Sequence, residues 1–199
     1  MRVSRIQAAE NRQTVINVAS RLFRERGFDG IGLKDLMEGA GLTQGAFYKQ
    51  FASKEDLAVE ASRRALESAS GRWSTAATQY PDDPLGAVIA FYLSGDHREE
   101  KMDGCPIVAL GSDAARQGPD VKAEFEAGIK ARLDVLGRFI PGTGDEASRG
   151  KAMAILATIV GAVTLSRVVN DPDLAQALLD AAADRVREIA AERKDGPVF

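Results

Sequence analysis

At 199 residues, 45% of them hydrophobic, the chain is long enough for one medium domain or a small domain joined to a larger one, and apolar enough to bury a core. No stretch reaches the ~20 uninterrupted apolar residues of a membrane span. The richest, residues 152–169, holds Thr158, Thr164, Ser166 and Arg167 and reads as a buried helix, so no membrane partner is expected. A net charge of −3 excludes a protein that is basic all over.

The distribution of charge says more. Residues 1–54 hold nine Lys or Arg against five Asp or Glu, a balance of +4, and residues 55–199 hold the other 17 against 24, a balance of −7. A basic end on an acidic body suits an end that meets phosphates while the body repels them. Residues 1–10 carry two arginines with no apolar stretch after them, which does not read as a secretory signal. One cysteine, Cys105, excludes an internal disulfide and fits a reducing compartment, so a cytoplasmic location is expected.

Helical spacing dominates the chain, and strand signals are nearly absent. Val15, Val18, Ala19, Leu22 and Phe23 recur at three- and four-residue steps, predicting a first helix over 8–26 that Gly27 stops. A short second helix follows over 33–39 and a third over 44–51. Ser53-Lys54-Glu55-Asp56 is a capping-box-like start for a long fourth helix reaching about residue 78, with Leu57, Ala61, Ala65, Leu66, Ala69, Trp73 and Ala76 inward. Tyr80-Pro81-Asp82-Asp83-Pro84 breaks it. A fifth helix is expected over 85–95, a mobile polar loop over 96–104, and helices over 106–117 and 119–140. Pro141-Gly142-Thr143-Gly144 reads as a loop, followed by two long helices over 146–170 and 172–194. The reading is all-α, with about nine helices and no sheet.

Residues 31–54 read IGLKDLMEGAGLTQGAFYKQFASK. Two short helices joined by Gly39-Ala40-Gly41-Leu42 make a helix-turn-helix, with Gly41 able to take the positive φ of a tight turn. Leu36, Leu42, Phe47 and Phe51 supply a compact core. Thr43, Gln44, Tyr48 and Lys49 are left on the outer face and leading end of the third helix. Gln can pair with an adenine edge, Lys can reach guanine or phosphate, and Tyr and Thr hydroxyls can bond phosphates. The small Gly45 and Ala46 would let that helix sit close to a groove floor, and Lys54, in the first turn after Ser53, would face a phosphate among helix-terminal amides. A helical hairpin with an aromatic core serving packing alone is the other reading of these residues.

This segment strongly resembles the DNA-binding domain of TetR-family repressors. The family's run Gly-(Leu/Val)-(Thr/Ser)-x-Gly-x-(Phe/Leu)-Tyr-x-x-Phe followed by (Ser/Asn)-Lys-x-x-Leu reads here as Gly41 to Phe51 and Ser53-Lys54-Glu55-Asp56-Leu57. The upstream Ala19, Phe23 and Gly27-Phe28 also fit, so the resemblance covers roughly residues 10–60. It implies DNA contact by Thr43, Gln44, Tyr48, Lys49 and Lys54, and by Lys34 on the second helix, with double-stranded operator DNA as partner. Gly32, where many members carry a capping Ser or Thr, is a departure that weakens the second helix's cap by ~1 kcal/mol or less.

For the rest of the chain, the resemblance implies an all-α homodimer with a ligand cavity and an intersubunit four-helix bundle from the last two helices. It divides the chain into a DNA-binding domain, residues 1–55, and a ligand-binding and dimerisation domain, residues 56–199. Independently, the small residues Ala154, Ala157, Gly161 and Ala162 would allow close helix approach, and Leu174, Leu178, Ala182, Val186 and Ile189 form a stripe on the final helix. Packing within one chain is the alternative for both helices. Trp73, Phe91, Tyr92, Met102, Phe125 and Ile129 are candidates for lining an apolar cavity that takes a small-molecule inducer, although aromatics at helical spacing also serve as plain core.

Cys105 lies in Asp103-Gly104-Cys105-Pro106, where a polar stretch meets a helix start and amide dipoles can lower a thiol pKa. Two readings stand for it: a pocket or sensor thiol, and a small buried hydrophobe. His97 is the only histidine, which excludes a multi-histidine zinc site. A Cys105–His97 nucleophilic pair lacks a nameable orienting group, and Gly27, Gly30 and Gly32 follow no strand, so they make no phosphate loop. No enzyme, cofactor or metal is expected. The expected function is a DNA-binding repressor released by a ligand or by thiol modification; an all-α ligand-binding module or enzyme without DNA binding is the alternative.

Overall fold

The computed structural model of the chain describes residues 4–140 and 145–192. Nine α-helices and one 3-10 helix are found among them: α1 Arg5–Arg26, α2 Leu33–Gly39, the 3-10 helix Gln44–Lys49, α3 Lys54–Gln79, α4 Pro84–Tyr92, α5 Gly95–Glu99, α6 Pro106–Ala114, α7 Pro119–Phe139, α8 Asp145–Val168 and α9 Pro172–Ala191. The expected loop at residues 141–144 and the end of the last helix at residues 193–194 lie outside the described residues.

The helix ends follow from local chemistry. Ser4 Oγ accepts from the Gln7 amide at the start of α1. At the start of α3, Ser53 Oγ accepts from the Asp56 amide, and Asp56 reaches back to accept from the Ala52 amide, an aspartate version of the capping box. Asp83 and Asp171 cap α4 and α9 in the same way. Four helices, α4, α6, α7 and α9, open on a proline, whose missing N–H costs nothing in the first turn.

The residues pack as two compact units, one of residues 4–69 with Glu100–Gly128, the other of Ser70–Glu99 with residues 129–192. This partition differs from a cut at residue 55. Residues 100–128 pack with the N-terminal helices because Leu110, Ala114, Val121 and Phe125 complete their core, alongside Val15, Ile16, Ala19, Phe23, Leu36, Met37, Phe47, Phe51 and Leu57. Polar ties hold the same seam. The buried Arg24 of α1 donates to the Ser20 carbonyl and, at 2.9 Å, to the Gly104 carbonyl, with Asp103 at 3.6 Å. Burial pulls the Arg24 guanidinium below its usual pKa, and Asp103 works against that shift. Asp113 of α6 accepts from the Phe28 amide. Gly27, at φ +78°, leaves room for that carboxylate, since a Cβ there would lie 2.5 Å from Asp113 Oδ2.

In the second unit α8 and α9 pack along their length, α4 lies against α9, and α5 against the end of α8. Helix α5 stands where a mobile loop is expected, and α4 ends at Tyr92 rather than at residue 95. The reason is tertiary. Ser94 Oγ caps the turn by accepting from the His97 amide. The His97 ring packs on Tyr92 and Phe91, at 4.6 and 5.6 Å between centroids. Arg167 donates to the carbonyls of His97 and Arg98, and Arg98 to that of Ser166. Residues Glu146–Val168 are long and apolar enough by composition to cross a bilayer, and only one face is buried. Ile155, Ile159, Val163 and Ser166 point inward, whereas Met153, Leu165 and Val168 are exposed.

Leu110→Ala removes a side chain buried at 2% exposure beneath the N-terminal helices. The expected cost is about 2–5 kcal/mol, read as a lower urea midpoint with a matching loss of DNA binding. An unchanged midpoint would show that residues 100–128 are dispensable to that core.

Candidate nucleic-acid interface

The turn between α2 and the 3-10 helix is a complete Schellman motif. The Leu42 amide donates to the Met37 carbonyl and the Gly41 amide to the Glu38 carbonyl, both at 2.9 Å, with Gly41 at φ +69°. Only glycine takes that conformation without strain. The turn aims the 3-10 helix so that Phe47 is fully buried. Phe47 stacks on Phe51 at 5.5 Å, and Tyr48 stands edge-on to it at 5.2 Å. Expected as an α-helix over 44–51, this segment closes instead with tighter bonds such as Ala46 amide to Thr43 carbonyl. The missing side-chain cap on α2 at Gly32 is as expected.

Burying Phe47 leaves Thr43, Gln44, Gly45, Tyr48 and Lys49 exposed together, Tyr48 at 68%. Lys34 is exposed on α2, loosely paired with Glu38 at 3.8 Å. Lys54 is half-exposed at the first position of α3. Residues 39–54 contain no acidic side chain, so this stretch offers hydroxyls, an amide and ammonium groups with no carboxylate of its own to repel a phosphate. Gly45 differs from Gly41 in its backbone: its φ is not positive, and, as at Gly41, nothing among the described residues lies within 4 Å of a Cβ built on it. The fold does not require glycine there, but close approach of another molecule would.

The remaining sequence candidates are divided between the units. Met102, Cys105 and Phe125 belong to the first, and Trp73, Phe91, Tyr92 and Ile129 to the second. Cys105, Phe125, Trp73 and Tyr92 are buried, and Met102, Phe91 and Ile129 half-buried. Of the interface candidates, Ala154, Ala157 and Leu174 are exposed, and Gly161 and Leu178 half-exposed. Ala182 and Val186 are buried within the chain. The spacing of the stripe did not separate its two edges. Not singled out from sequence were the exposed Leu165 and Val168, and the buried Arg24 and Arg132.

Fold and surface together define a helix-turn-helix DNA-binding protein with an all-α body. The family described as bacterial regulatory proteins, tetR family, matches residues 15–61. The regulator LmrA of Bacillus subtilis is 26% identical over 163 residues, covering 79% of this chain and 86% of LmrA. The repressor NemR of Escherichia coli is 23% identical over 130 residues, 64% and 65% of the two chains. The reduced form of E. coli NemR superposes with a TM-score of 0.76 at 20% identity, covering 93% of this chain and 99% of NemR. A TetR regulator from Chloroflexus aurantiacus superposes at 0.76 and 24% identity, over 92% and 97%. Residues 15–61 thus match the tetR-family model, and the chain, similar to TetR-family regulators, is a DNA-binding transcriptional regulator.

Gly45→Ala and Gly41→Ala separate folding from recognition. The first is expected to leave stability unchanged or raise it by up to ~1 kcal/mol while weakening DNA binding. The second is expected to lower stability by about 1–2 kcal/mol through its left-handed φ. Thermal melts beside DNA titrations check both; full DNA affinity in the Gly45 variant would remove that residue from the interface.

Proposed function

We propose that the chain is a homodimeric, ligand-responsive repressor of the cytoplasm that binds double-stranded operator DNA and performs no catalysis. Residues 1–55 read DNA through Lys34, Thr43, Gln44, Gly45, Tyr48, Lys49 and Lys54, and residues 56–199 dimerise and bind a small-molecule inducer. The carrying observation is the acid-free, exposed surface around Tyr48 and Lys49, held on a buried Phe47–Phe51 stack. Support for repression comes from the name of the relative NemR, a repressor.

Dimerisation is supported by an uncovered apolar stripe. Ala154, Ala157, Gly161, Leu165 and Val168 follow one another at helical spacing on α8, beside Leu174 and Leu178 on α9. Among the described residues, nothing beyond its own helix backbone and chain neighbours lies within 4 Å of a Cβ built on Gly161, which suits close approach of a second helix. A two-fold dimer would set two reading heads about 34–36 Å apart, or a multiple of that spacing.

Release is read as a displacement of α3, one continuous helix from Lys54 to Gln79. A ligand in the region of Trp73, Phe91, Tyr92 and Ile129 would move its far end. Thiol modification is a second route. Cys105 is buried beside the Gly104 carbonyl that Arg24 holds, so an adduct would strain that tie.

Fluorescence anisotropy against DNA flanking the chain's own gene, at two salt concentrations with nonspecific competitor, tests the DNA reading. Binding is expected to survive competitor, to weaken with salt, and to vanish in the Tyr48→Ala, Lys49→Ala double variant. Lys49→Ala alone should lower the log–log salt slope by about 0.9. A thiol reagent added to the complex, with Cys105→Ser as control, reads the second route. Absence of binding to this and to random duplex would leave a ligand-binding module instead.

The dimer is tested by Leu165→Glu with Val168→Glu. Sedimentation is expected to show a folded monomer with weakened operator binding; a persistent dimer would place the interface elsewhere.

A further inference from the structure

The second unit carries a recess to which DNA reading gives no role. It lies between the last turns of α7 and the first turns of α8, within that unit, and encloses about 670 Å³. Its lining includes Lys130, Asp134, Gly137, Arg138, Ser148 and Arg149. A volume of this order is typical of sites that hold small molecules.

Three cations and one carboxylate line the recess, although residues 55–199 as a whole are net acidic at −7. A local excess of positive charge against such a background draws anions. Lys130 and Ser148 keep partners within the chain, so the two arginines carry the argument. Arg138 and Arg149 are exposed, and among the described residues neither holds an ion pair. Arg138 donates its Nε to the Asp134 carbonyl at 3.2 Å, one of the five N–H groups that a guanidinium offers. Gly137 adds an independent feature. Glycine is a poor helix former, yet it occupies the last turn of α7. Among the described residues, nothing beyond its own helix backbone and chain neighbours lies within 4 Å of a Cβ built there. The packing of the chain does not call for glycine at this position; an occupant of the recess would.

We propose that the recess binds a small phosphorylated polyol, its phosphoryl dianion on Arg138 and Arg149 and its hydroxyls on the Asp134 carboxylate. Two guanidinium forks match the near −2 charge and the oxygen geometry of a phosphate monoester. A carboxylate only accepts hydrogen bonds, so Asp134 suits the hydroxyl end and repels bare phosphate. A neutral polyol would leave both arginines unanswered. Trp73, Phe91, Tyr92 and Ile129 are not among the described lining, so this site adds to the inducer region and does not depend on that reading.

Isothermal titration calorimetry of the full-length protein at low ionic strength, with glucose 6-phosphate, glucose and inorganic phosphate, tests the site. Saturable binding of glucose 6-phosphate is expected, at least about tenfold weaker binding of inorganic phosphate, and none of glucose. Arg138→Gln with Arg149→Gln should weaken the ester at least about tenfold. Gly137→Leu should do the same by filling the recess while leaving its charge intact. Arg185→Gln, on the exposed side of α9, should change nothing. Circular dichroism and thermal melts control for folding; if the double arginine variant does not fold, Gly137→Leu and the three-ligand comparison decide. Inorganic phosphate binding as tightly as the ester would mean an adventitious ion only, and overturns the proposal. So would full affinity in the folded arginine variant, equal loss in Arg185→Gln, or no saturable binding of the ester. Operator affinity of the arginine variant without ester is expected to be unchanged; a fall would assign the recess to DNA contact and overturn the small ligand.

Discussion

A helix-turn-helix of two short helices cannot bury a core by itself, and that constraint organises the first unit. Segments of this size hold too little apolar surface to offset the entropy of ordering them. Leu36, Met37, Phe47 and Phe51 therefore close on Val15, Ile16, Ala19 and Phe23 of α1, and on Leu110, Ala114, Val121 and Phe125 from α6 and α7. Once Phe47 is committed inward, its neighbours have no choice of side. Tyr48 and Lys49 are exposed because the aromatic beside them is not. The polar ties of the seam reinforce the arrangement. Arg24 holds the Gly104 carbonyl, and Asp113 accepts from Phe28. Each satisfies a group that would otherwise be costly to bury.

The surface left outside that core carries charge in a useful pattern. The exposed edge of the reading segment lacks carboxylates from residue 39 to 54, while the remainder of the chain is net acidic. Phosphates are attracted at one place and repelled elsewhere, which is the electrostatic requirement for a protein that meets DNA with one end. Gly45 contributes by what it lacks. With an ordinary φ and open space around it, its cost in helix propensity has no intramolecular return.

The second unit solves a different problem with the same element type. Helices α8 and α9 are apolar around more of their circumference than one partner can cover. Ile155, Ile159 and Val163 face inward, together with Ala182 and Val186, while Leu165, Val168 and Leu174 stay in water. Exposed apolar rows of this kind call for a protein surface to cover them. The interior of this unit also holds the aromatic contacts of Trp73, Tyr92 and His97.

Much of this was legible from residue order alone, wherever the controlling physics is local. The helix cap at Ser53, the positive φ at Gly41, and the inward set Phe47 and Phe51 depend on neighbours within a turn or two. The family motif is dense between Gly41 and Leu57 for the same reason, since each of its positions is fixed by the hairpin itself. Other features were decided only when distant residues met. Residues 96–99 are polar and looked like loop, but His97 is held by Tyr92 and Phe91 and by Arg167, some 70 positions away. Leu178 and Val186 share one apolar stripe on α9, yet only tertiary packing decided that Val186 is buried while Leu178 stays partly open. The amino-acid sequence by itself determined the helices and the DNA-reading hairpin, because periodicity, caps and turns act over a few residues. Tertiary structure alone decided that residues 100–128 complete the reading head and that Arg132 is buried, because an apolar or charged side chain does not specify which distant surface will cover it.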